Sequence, residues 1–364
     1  MAAISFARGA PSPELIPAAT LAECAAAVAE REGARVFGYG PAGGYAPLRD
    51  WVAERHNVGS ERVVLTVGGL LGFVLYATEQ LERRPGRVLV EGPSYDRTLT
   101  IVAQKGAEIV PLPMDDEGLD PEALEAELRA RRERPSFLYT IPTFQNPSGR
   151  TLSTERRRRI AEIAADHELA VLEDDPYGLV RFEGESPPAL HSLEGGKLVT
   201  YASSFSKTVA PGLRTGYFVL PEGEAGAFEQ RAASTYISPP FFAQATISEF
   251  IARGHFEPNL ERVRSGLGAR RDAMLEGLER GFGGHASWSR PEGGYFVWLD
   301  LGDDVDASEL AGHAAREGVA FVRGTDFFPP GSGLGRSAAR LAFSFETPER
   351  IAEGVAILAA LVEL

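Results

Sequence analysis

The stretch RVVLTVGGLLGFVLYATEQL, residues 62–81, passes from a β-branched apolar run through two glycines into a segment with helical periodicity. The same order, a short strand followed by an amphipathic helix, recurs up to about residue 220. It gives seven candidate strands: 62–67, 87–92, 107–113, 136–142, 169–175, 197–204 and 215–220. This alternation indicates an α/β fold, in which a mostly parallel seven-stranded sheet lies between helices.

The pattern changes after about residue 255. A long helical segment, 256–281, precedes GGYFVWLDL, a helix, GVAFVR, ARLAFSF and a final helix. This order indicates a smaller α+β domain. Residues 1–45 have no repeating pattern, and we expect them to pack with the small domain. The predicted division is therefore 1–45, a large domain over 46–255, and a small domain over 256–364.

Composition limits the classes of partner. The chain has 37 basic and 51 acidic residues, a formal net charge of −14. This charge disfavours nucleic acid and anionic membranes, and no segment approaches the ~20 apolar residues of a membrane span. One cysteine, Cys24, excludes an intrachain disulfide and fits a core position in a cytoplasmic protein. The six histidines lack metal-ligand spacing, so we expect no metal.

An arginine-rich run, TERRRRIAEIAADH at 154–167, has two interpretations. Its helical periodicity directs Ile160 and Ile163 inward. We therefore interpret its arginines as the solvated face of a helix and not as a nucleic-acid-binding patch.

Candidate site residues follow from the predicted sheet, because ligands bind beyond the carboxyl ends of parallel strands. The sequence places glycines, carboxylates, an amide, hydroxyls and a lysine there, at 68–69, 91–93, 142–146, 174–175 and 203–207. These groups fit an anionic, aromatic ligand that carries a carbonyl group.

Several of these positions have both a structural and a functional interpretation. Asp174 is a turn or capping residue, or the partner of a pyridinium nitrogen. Asn146 is a turn residue before proline, or a donor to a phenolate oxygen that Tyr177 would also reach. The glycines at 68 and 69 close a tight turn, or bring backbone N–H groups to a phosphate.

The stretch SSFSKTVAPGLRTGY, 203–217, is the most specific chemically. Ser204, Ser206 and Arg214 suit a phosphate dianion, which arginine binds bidentately. Lys207 lies among them at a strand end. Desolvation there would lower the pKa of its amine and make it a nucleophile for a carbonyl carbon. We prefer this interpretation to a surface loop.

SFSKTVAPGLRTGY resembles the lysine motif of fold-type-I pyridoxal-phosphate enzymes, the aspartate aminotransferase superfamily. Six more motifs follow that family's order: YGPAGGYAPLR (39–49), EGPSYD (91–96), TFQNPSG (143–149), EDDPYG (173–178), PEGGYFVW (291–298) and GVAFVRG (318–324). The chain is most similar to the branch of 2-aminoadipate, kynurenine and aromatic aminotransferases, from Ile4 to the C-terminus. The resemblance implies a homodimeric, cytoplasmic aminotransferase that uses pyridoxal 5'-phosphate.

The resemblance also implies a role for each cofactor-binding residue. Lys207 would bond the cofactor covalently and move the substrate proton, and Asp174 would bind the pyridine nitrogen. Tyr95 would stack on the ring, while Asn146 and Tyr177 would contact its 3-oxygen. The phosphate would be bound by Gly69, Leu70, Ser204, Ser206 and Arg214, and by Tyr39 of the neighbouring subunit.

For the substrate, the resemblance implies that Arg340 binds the α-carboxylate, with Gly40 and Asn146 nearby. The segment 4–17 resembles the part that covers the pocket in this branch. There Arg8 would meet a distal carboxylate, or three apolar residues would cover an uncharged side chain: Phe6, Leu15 and Ile16. We expect broad specificity for glutamate or 2-aminoadipate and for aromatic or large aliphatic amino acids, with an acceptor such as 2-oxoglutarate.

Two positions depart from the family's pattern. The family usually has serine and glutamine where Gly69 and Leu70 stand, so one side-chain contact to phosphate is lost and cofactor affinity is in question. It often has proline where Arg323 stands. This arginine is an extra carboxylate ligand or, as we prefer, a solvated side chain.

Two other functions remain. One is a different pyridoxal-phosphate reaction, such as decarboxylation or β-elimination, on the same fold. The other is a sensor domain of the kind found behind a helix-turn-helix in some regulators. Because the resemblance begins by Ile4 and the net charge is −14, we expect no DNA-binding domain.

Overall fold

A computed structural model of the chain describes residues 3–193 and 196–362. The helices within this part are α1 Ala18–Glu32, α2 Ala46–His56, α3 Gly68–Arg83, α4 Asp96–Gln104, α5 Pro121–Ala130, α6 Thr154–Asp166, α7 Ala225–Tyr236, α8 Phe241–Ala252, α9 Phe256–Phe282, α10 Ala307–Arg316 and α11 Pro348–Val362. The strands are β1 Ile4–Ser5, β2 Val63–Thr66, β3 Arg87–Gly92, β4 Glu108–Asp115, β5 Gly118–Leu119, β6 Phe137–Thr140, β7 Val171–Asp174, β8 Val199–Ser204, β9 Gly216–Val219, β10 Ser287–Trp288, β11 Phe296–Asp300, β12 Val319–Ala320, β13 Val322–Arg323 and β14 Ala338–Ala342.

The large sheet has the strand order β2-β9-β8-β7-β6-β3-β4-β5. Strands β8, β7, β6, β3 and β4 are parallel, whereas β9 is antiparallel to both its neighbours. The α/β prediction is confirmed, and all seven predicted strands are present. The structure adds β5, which pairs antiparallel with β4 and has only two residues, too few to show a periodicity.

The parallel strands end together at one edge of this sheet. The last residues of β3, β6, β7 and β8 are Gly92, Thr140, Asp174 and Ser204. Strand β2 runs in the same direction as β8, because both are antiparallel to the β9 between them. The start of α3, two residues after β2, therefore lies at this edge as well.

A second sheet, β10-β11-β14-β13, is antiparallel throughout. The predicted strand 318–323 divides at the buried Phe321. Its first half, β12, pairs with β1, and its second half, β13, pairs with β14. The chain's N-terminal segment is thereby joined to its C-terminal region. Because α1 packs instead on α8, the described part of the predicted N-terminal segment, residues 3–45, contacts both parts. The division at 45 and 255 stays a prediction.

Helix α1 was not expected from the sequence. Its many alanines favour a helix by propensity but produce no apolar periodicity. Cys24 and Val28, one turn apart, are its buried residues, so the core position predicted for Cys24 is confirmed.

The arginine-rich helix α6 is capped by Ser153, and Ile160 and Ile163 are buried as predicted. Arg157 is not solvated, however, since it is only 1% exposed. Its Nη2 donates to the carbonyl oxygen of Pro142 at 2.6 Å and to Oγ1 of Thr143 at 2.8 Å. The prediction of a wholly solvated arginine face was wrong at this position, where the guanidinium supports the loop after β6.

In the part of the chain that the structure describes, no helix has both the length and the apolar character needed to cross a bilayer.

Candidate active site

A cavity of about 490 Å³ opens at the edge where the parallel strands end. The N-terminal segment forms part of its wall through Ala7, Gly9, Ala10 and Pro11. Most of the predicted site residues also line it: Gly69, Leu70, Tyr95, Asn146, Asp174, Tyr177, Ser204, Ser206, Lys207, Arg214 and Arg340. Residues far apart in sequence thus meet in one space.

Lys207 follows β8 and extends into this cavity. Its Nζ donates to the carbonyl oxygen of Gly9 at 2.7 Å and lies 4.8 Å from the ring centre of Tyr295. Desolvation by burial, and then the charge of Arg340, lower the pKa of Lys207 to about 8. A useful fraction of this amine is therefore unprotonated near neutral pH, as a nucleophile or base requires.

Asp174, the last residue of β7, is one of the two aspartates that line the cavity. The hydroxyl of Tyr139 donates to its Oδ2 at 2.7 Å. Burial raises the pKa of Asp174 to about 7, although the Tyr139 hydrogen bond opposes the rise. A carboxyl in this setting gains stability as an anion when a cation binds next to it.

Arg340 projects from β14 and is almost wholly buried. Its Nη1 donates to Oδ1 of Asn146 and its Nη2 to the carbonyl oxygen of Ala7, both at 2.9 Å. Its Nε is buried without a hydrogen-bond partner among the described residues. The guanidinium lies 4.3 Å from the ring centre of Phe296. This cation has neutral partners only, so it is prepared to bind an anion.

Two tyrosines, Tyr95 and Tyr177, also line the cavity. Tyr177 is buried, and burial raises the pKa of its phenol well above the ordinary value. Tyr95 is partly buried at the start of α4, and burial raises its pKa to about 12. Both hydroxyls are therefore protonated at neutral pH and serve as hydrogen-bond donors.

The start of α3 supplies free backbone N–H groups to the same cavity. Gly68 has a φ of +76°, which glycine adopts without strain, and a Cβ there would lie 2.5 Å from Nη2 of Arg214. A Cβ built at Gly69 would meet nothing within 4 Å. A helix N-terminus, an arginine and the hydroxyls of Ser204 and Ser206 are a typical set of phosphate ligands.

These groups fit pyridoxal 5'-phosphate. The cavity has an amine for its aldehyde, a carboxylate for its pyridine nitrogen and phosphate ligands around an open space beside Gly69. The phosphate would be the first anion in the cavity. Arg340, whose buried Nε has no hydrogen-bond partner among the described residues, is available to bind a second one.

Seven predicted residues lie outside the cavity of their own chain. Three are the apolar residues expected to cover the substrate's side chain, and they pack in or against the main core instead: Phe6, Leu15 and Ile16. The other four are Tyr39, Gly40, Arg8 and Arg323. Tyr39 is 82% exposed. The N–H of Gly40 donates to Oγ of Ser238 at 3.3 Å. The exposed Arg8 lies 4.5 Å from the ring centre of Phe345. Arg323 is exposed and pairs with Asp326 at 2.7 Å, which agrees with the preferred interpretation of a surface side chain.

Sequence reasoning missed residues that position Asn146. The buried carboxylate of Glu91 accepts hydrogen bonds from Oγ1 of Thr140 at 2.6 Å and from Nε2 of Gln145 at 3.1 Å. Oε1 of Gln145 accepts from the N–H of Ser148 at 2.7 Å. The loop that carries Asn146 is thus fixed to the end of β3. In the sequence, the signal for this contact was a glutamate near the end of an apolar strand. Sequence spacing could not predict that Gln145 would be its hydrogen-bond partner.

Comparisons with known proteins agree with this geometry. Residues 3–356 match the family described as aminotransferase class I and II. The 2-aminoadipate transaminase of Thermus thermophilus is 37% identical over 97% of this chain and 88% of that protein. Aromatic-amino-acid aminotransferase 1 of Thermococcus litoralis is 32% identical over 99% of this chain and 88% of that protein. The crystal structure of α-aminoadipate aminotransferase from Thermus thermophilus, complexed with N-(5'-phosphopyridoxyl)-L-leucine, has a TM-score of 0.93 at 35% identity and covers 99% of this chain and 92% of that one.

Proposed function

Because this chain belongs to the class I and II aminotransferases and is a pyridoxal 5'-phosphate-dependent transaminase, we propose that it moves an amino group between an L-amino acid and a 2-oxo acid such as 2-oxoglutarate. The donors are 2-aminoadipate or glutamate, and aromatic or large aliphatic amino acids. The single observation that carries the proposal is that Lys207, Asp174 and Arg340 line one cavity.

The cofactor, when bound, supplies an electron sink for the bond broken at the substrate's Cα. The amine of Lys207, with its pKa lowered to about 8, would remove the proton from Cα of the donor amino acid in the first half-reaction and supply a proton to Cα of the newly formed amino acid in the second. Asp174 provides the anion that keeps a pyridine nitrogen protonated. Asn146 and Tyr177 offer hydrogen bonds to the 3-oxygen, while Tyr95 packs against the ring.

Arg340 orients the substrate. Its buried guanidinium binds the α-carboxylate, which fixes the direction of the Cα–H bond relative to Lys207. The hydrogen bond to Asn146 holds the guanidinium in position. The phosphate would be held by Gly69, Leu70, Ser204, Ser206 and Arg214. Because Gly69 stands where the family usually has serine, a side-chain hydrogen bond to the phosphate is absent there.

The range of donors is supported by the relatives. Their names refer to 2-aminoadipate and to aromatic amino acids, and one is bound to a leucine derivative. The cavity offers matching apolar surface at Ala10, Pro11 and Val322.

The active unit in this proposal is a cytoplasmic homodimer. Among the described residues, five large apolar side chains are exposed, and three of them lie on two segments near Gly40 and Ser238: Phe37 by 66%, Tyr39 by 82% and Ile237 by 57%. The hydrogen bond from Gly40 to Ser238 brings their segments together into one apolar surface. Burying it against a second copy would place Tyr39 at the neighbour's phosphate site.

The test is a panel of amino-acid donors with 2-oxoglutarate as acceptor, assayed on purified holoenzyme. Each active donor other than glutamate should give its 2-oxo acid and glutamate in a one-to-one ratio, and glutamate should be assayed with the 2-oxo acid of another active donor as acceptor. Oxo acid formed without glutamate, or an amine formed with release of carbon dioxide, would contradict transamination and favour another reaction on this fold.

A further inference from the structure

Arg97 is a cation of the cavity that the reaction proposed above does not use. It is the second residue of α4 and lines the cavity together with Lys207, Arg214 and Arg340. Those three have partners in the cofactor's aldehyde, its phosphate and the substrate's α-carboxylate. Arg97 therefore lines the cavity without a partner in the cofactor or in the substrate's α-carboxylate.

The contacts of Arg97 leave its outer nitrogens available. Its Nε lies 3.6 Å from Oδ2 of Asp96, and its side chain is 67% exposed. Among the described residues, neither Nη1 nor Nη2 has a hydrogen-bond partner. The Asp96 carboxylate restrains the inner side of the guanidinium, while the outer two N–H groups match the two oxygens of a carboxylate.

Arg97 and Arg340 act on the same part of the cavity. Burial raises the pKa of Tyr95, and the charges of Arg97 and Arg340 both counteract that rise. Both guanidinium groups are thus within electrostatic range of the Tyr95 hydroxyl. Because Arg97 and Arg340 line the same cavity, a substrate with two carboxylates has one guanidinium available for each.

The other two arginines considered for a second carboxylate are less well placed. Arg8 is exposed, lies over the Phe345 ring and is not among the residues that line the cavity. Arg323 already has a carboxylate, Asp326, at 2.7 Å. Of Arg8, Arg97 and Arg323, all within the described residues, only Arg97 combines a position on the cavity wall with Nη1 and Nη2 groups that have no hydrogen-bond partner.

We propose that Arg97 determines specificity for dicarboxylic substrates by binding the distal carboxylate of amino acids such as 2-aminoadipate and glutamate. The inference rests on the proposed amino-acid specificity. When the substrate has an uncharged side chain, the guanidinium of Arg97 stays in water and its charge carries little desolvation penalty. The same cavity therefore also accepts uncharged substrates.

The test compares kcat/KM of the Arg97→Gln holoenzyme for four donors. For 2-aminoadipate and glutamate we expect a loss of about 10- to 100-fold, mostly through KM, as for removal of one charge-assisted contact. For leucine and phenylalanine we expect a change below about 2-fold, because their side chains do not reach a charge. Arg97→Lys should recover part of the lost activity. Arg132→Gln, at an exposed arginine outside the cavity, is the matched control.

Equal losses for both classes of donor would overturn the inference, since Arg97 would then support folding or cofactor binding. It would also be overturned if Arg8→Ala, and not Arg97→Gln, produced the selective loss. A wild-type enzyme active on leucine but inactive on dicarboxylic donors would refute Arg97's role and leave transamination intact. Inactivity towards every donor would instead contradict the proposed function and, with it, this inference.

Discussion

Arg340 and Asn146, 194 residues apart, are joined by a hydrogen bond of 2.9 Å from Nη1 of the arginine to Oδ1 of the asparagine. The bond links β14 of the small sheet to the loop after β6 of the large sheet. In the proposed function, the arginine that would bind the substrate's α-carboxylate is therefore held by the asparagine that would contact the cofactor ring. Hydrogen bonds from Gln145 to Glu91 and from Arg157 to Pro142 fix the same loop.

Lys207 should be the residue that bonds the cofactor. The chain contains three lysines, at 105, 197 and 207. Reduction of the holoenzyme with borohydride, followed by peptide mass spectrometry, should place the cofactor's mass on Lys207. Lys207→Ala should lack this adduct, while Lys105→Ala and Lys197→Ala should keep it. Labelling of either other lysine would refute the assignment.

Asp174 should make the cofactor-free protein less stable as pH rises. Its pKa is raised from 3.8 to about 7, so between these values the folded state holds a proton that the unfolded state has released. The contribution of Asp174 to the free energy of unfolding is greatest below pH 3.8 and is lost as the pH rises to about 7. Relative to Asp174→Asn, wild-type protein should lose about 1–3 kcal/mol of unfolding free energy over this range.

Urea unfolding at several pH values measures this difference, with the exposed Asp303→Asn as control. In the holoenzyme, Asp174→Asn should still bind cofactor while the barrier to transamination rises by several kcal/mol, about 100-fold or more in kcat. Turnover close to that of wild type would contradict the role of the carboxylate.

Tyr39 should act in the neighbour's site. Lys207→Ala and Tyr39→Ala subunits are each expected to be inactive, whereas a mixed dimer contains one site with both residues intact. Mixing and subunit exchange should therefore recover part of the activity, measured against each variant alone. If exchange is verified by native mass spectrometry and activity stays absent, the shared site is refuted.

Gly69→Ser should tighten cofactor binding. The position lies in the first turn of α3, and a Cβ there meets nothing within 4 Å, so the hydroxyl fits without displacement. One added hydrogen bond to phosphate should strengthen cofactor binding by about 1 kcal/mol, roughly 5-fold in Kd. Gly226→Ser is the matched control, because it also lies in the first turn of a helix, with open space around it and outside the cavity. An unchanged Kd would show that backbone N–H groups alone define this end of the site.

The sequence by itself determined the architecture and the position of the site along the chain. Buried strands such as 62–67 and 169–175 are visible in the sequence as short apolar runs. The residues that interrupt these runs at the strand ends, such as Asp174, Lys207 and the glycines at 68 and 69, are visible in the same way. Ordered motifs then identified Lys207, Asp174 and Arg340 as candidates. The local pattern was sufficient to locate the site, because the carboxyl ends of parallel strands lie at the same edge of a sheet and ligands bind there.

Only the tertiary structure decided which side chains contact one another. The Arg340–Asn146 bond, the burial of Arg157, the Glu91–Gln145 contact and the place of Arg97 on the cavity wall depend on segments brought together across the fold. The sequence signals a residue's chemistry, but not its distance from a residue many positions away. Arg8 and Arg97 are both arginines near motifs, and packing alone placed the first over Phe345 and the second beside the substrate space, because side-chain direction is set by the backbone and neighbours around it.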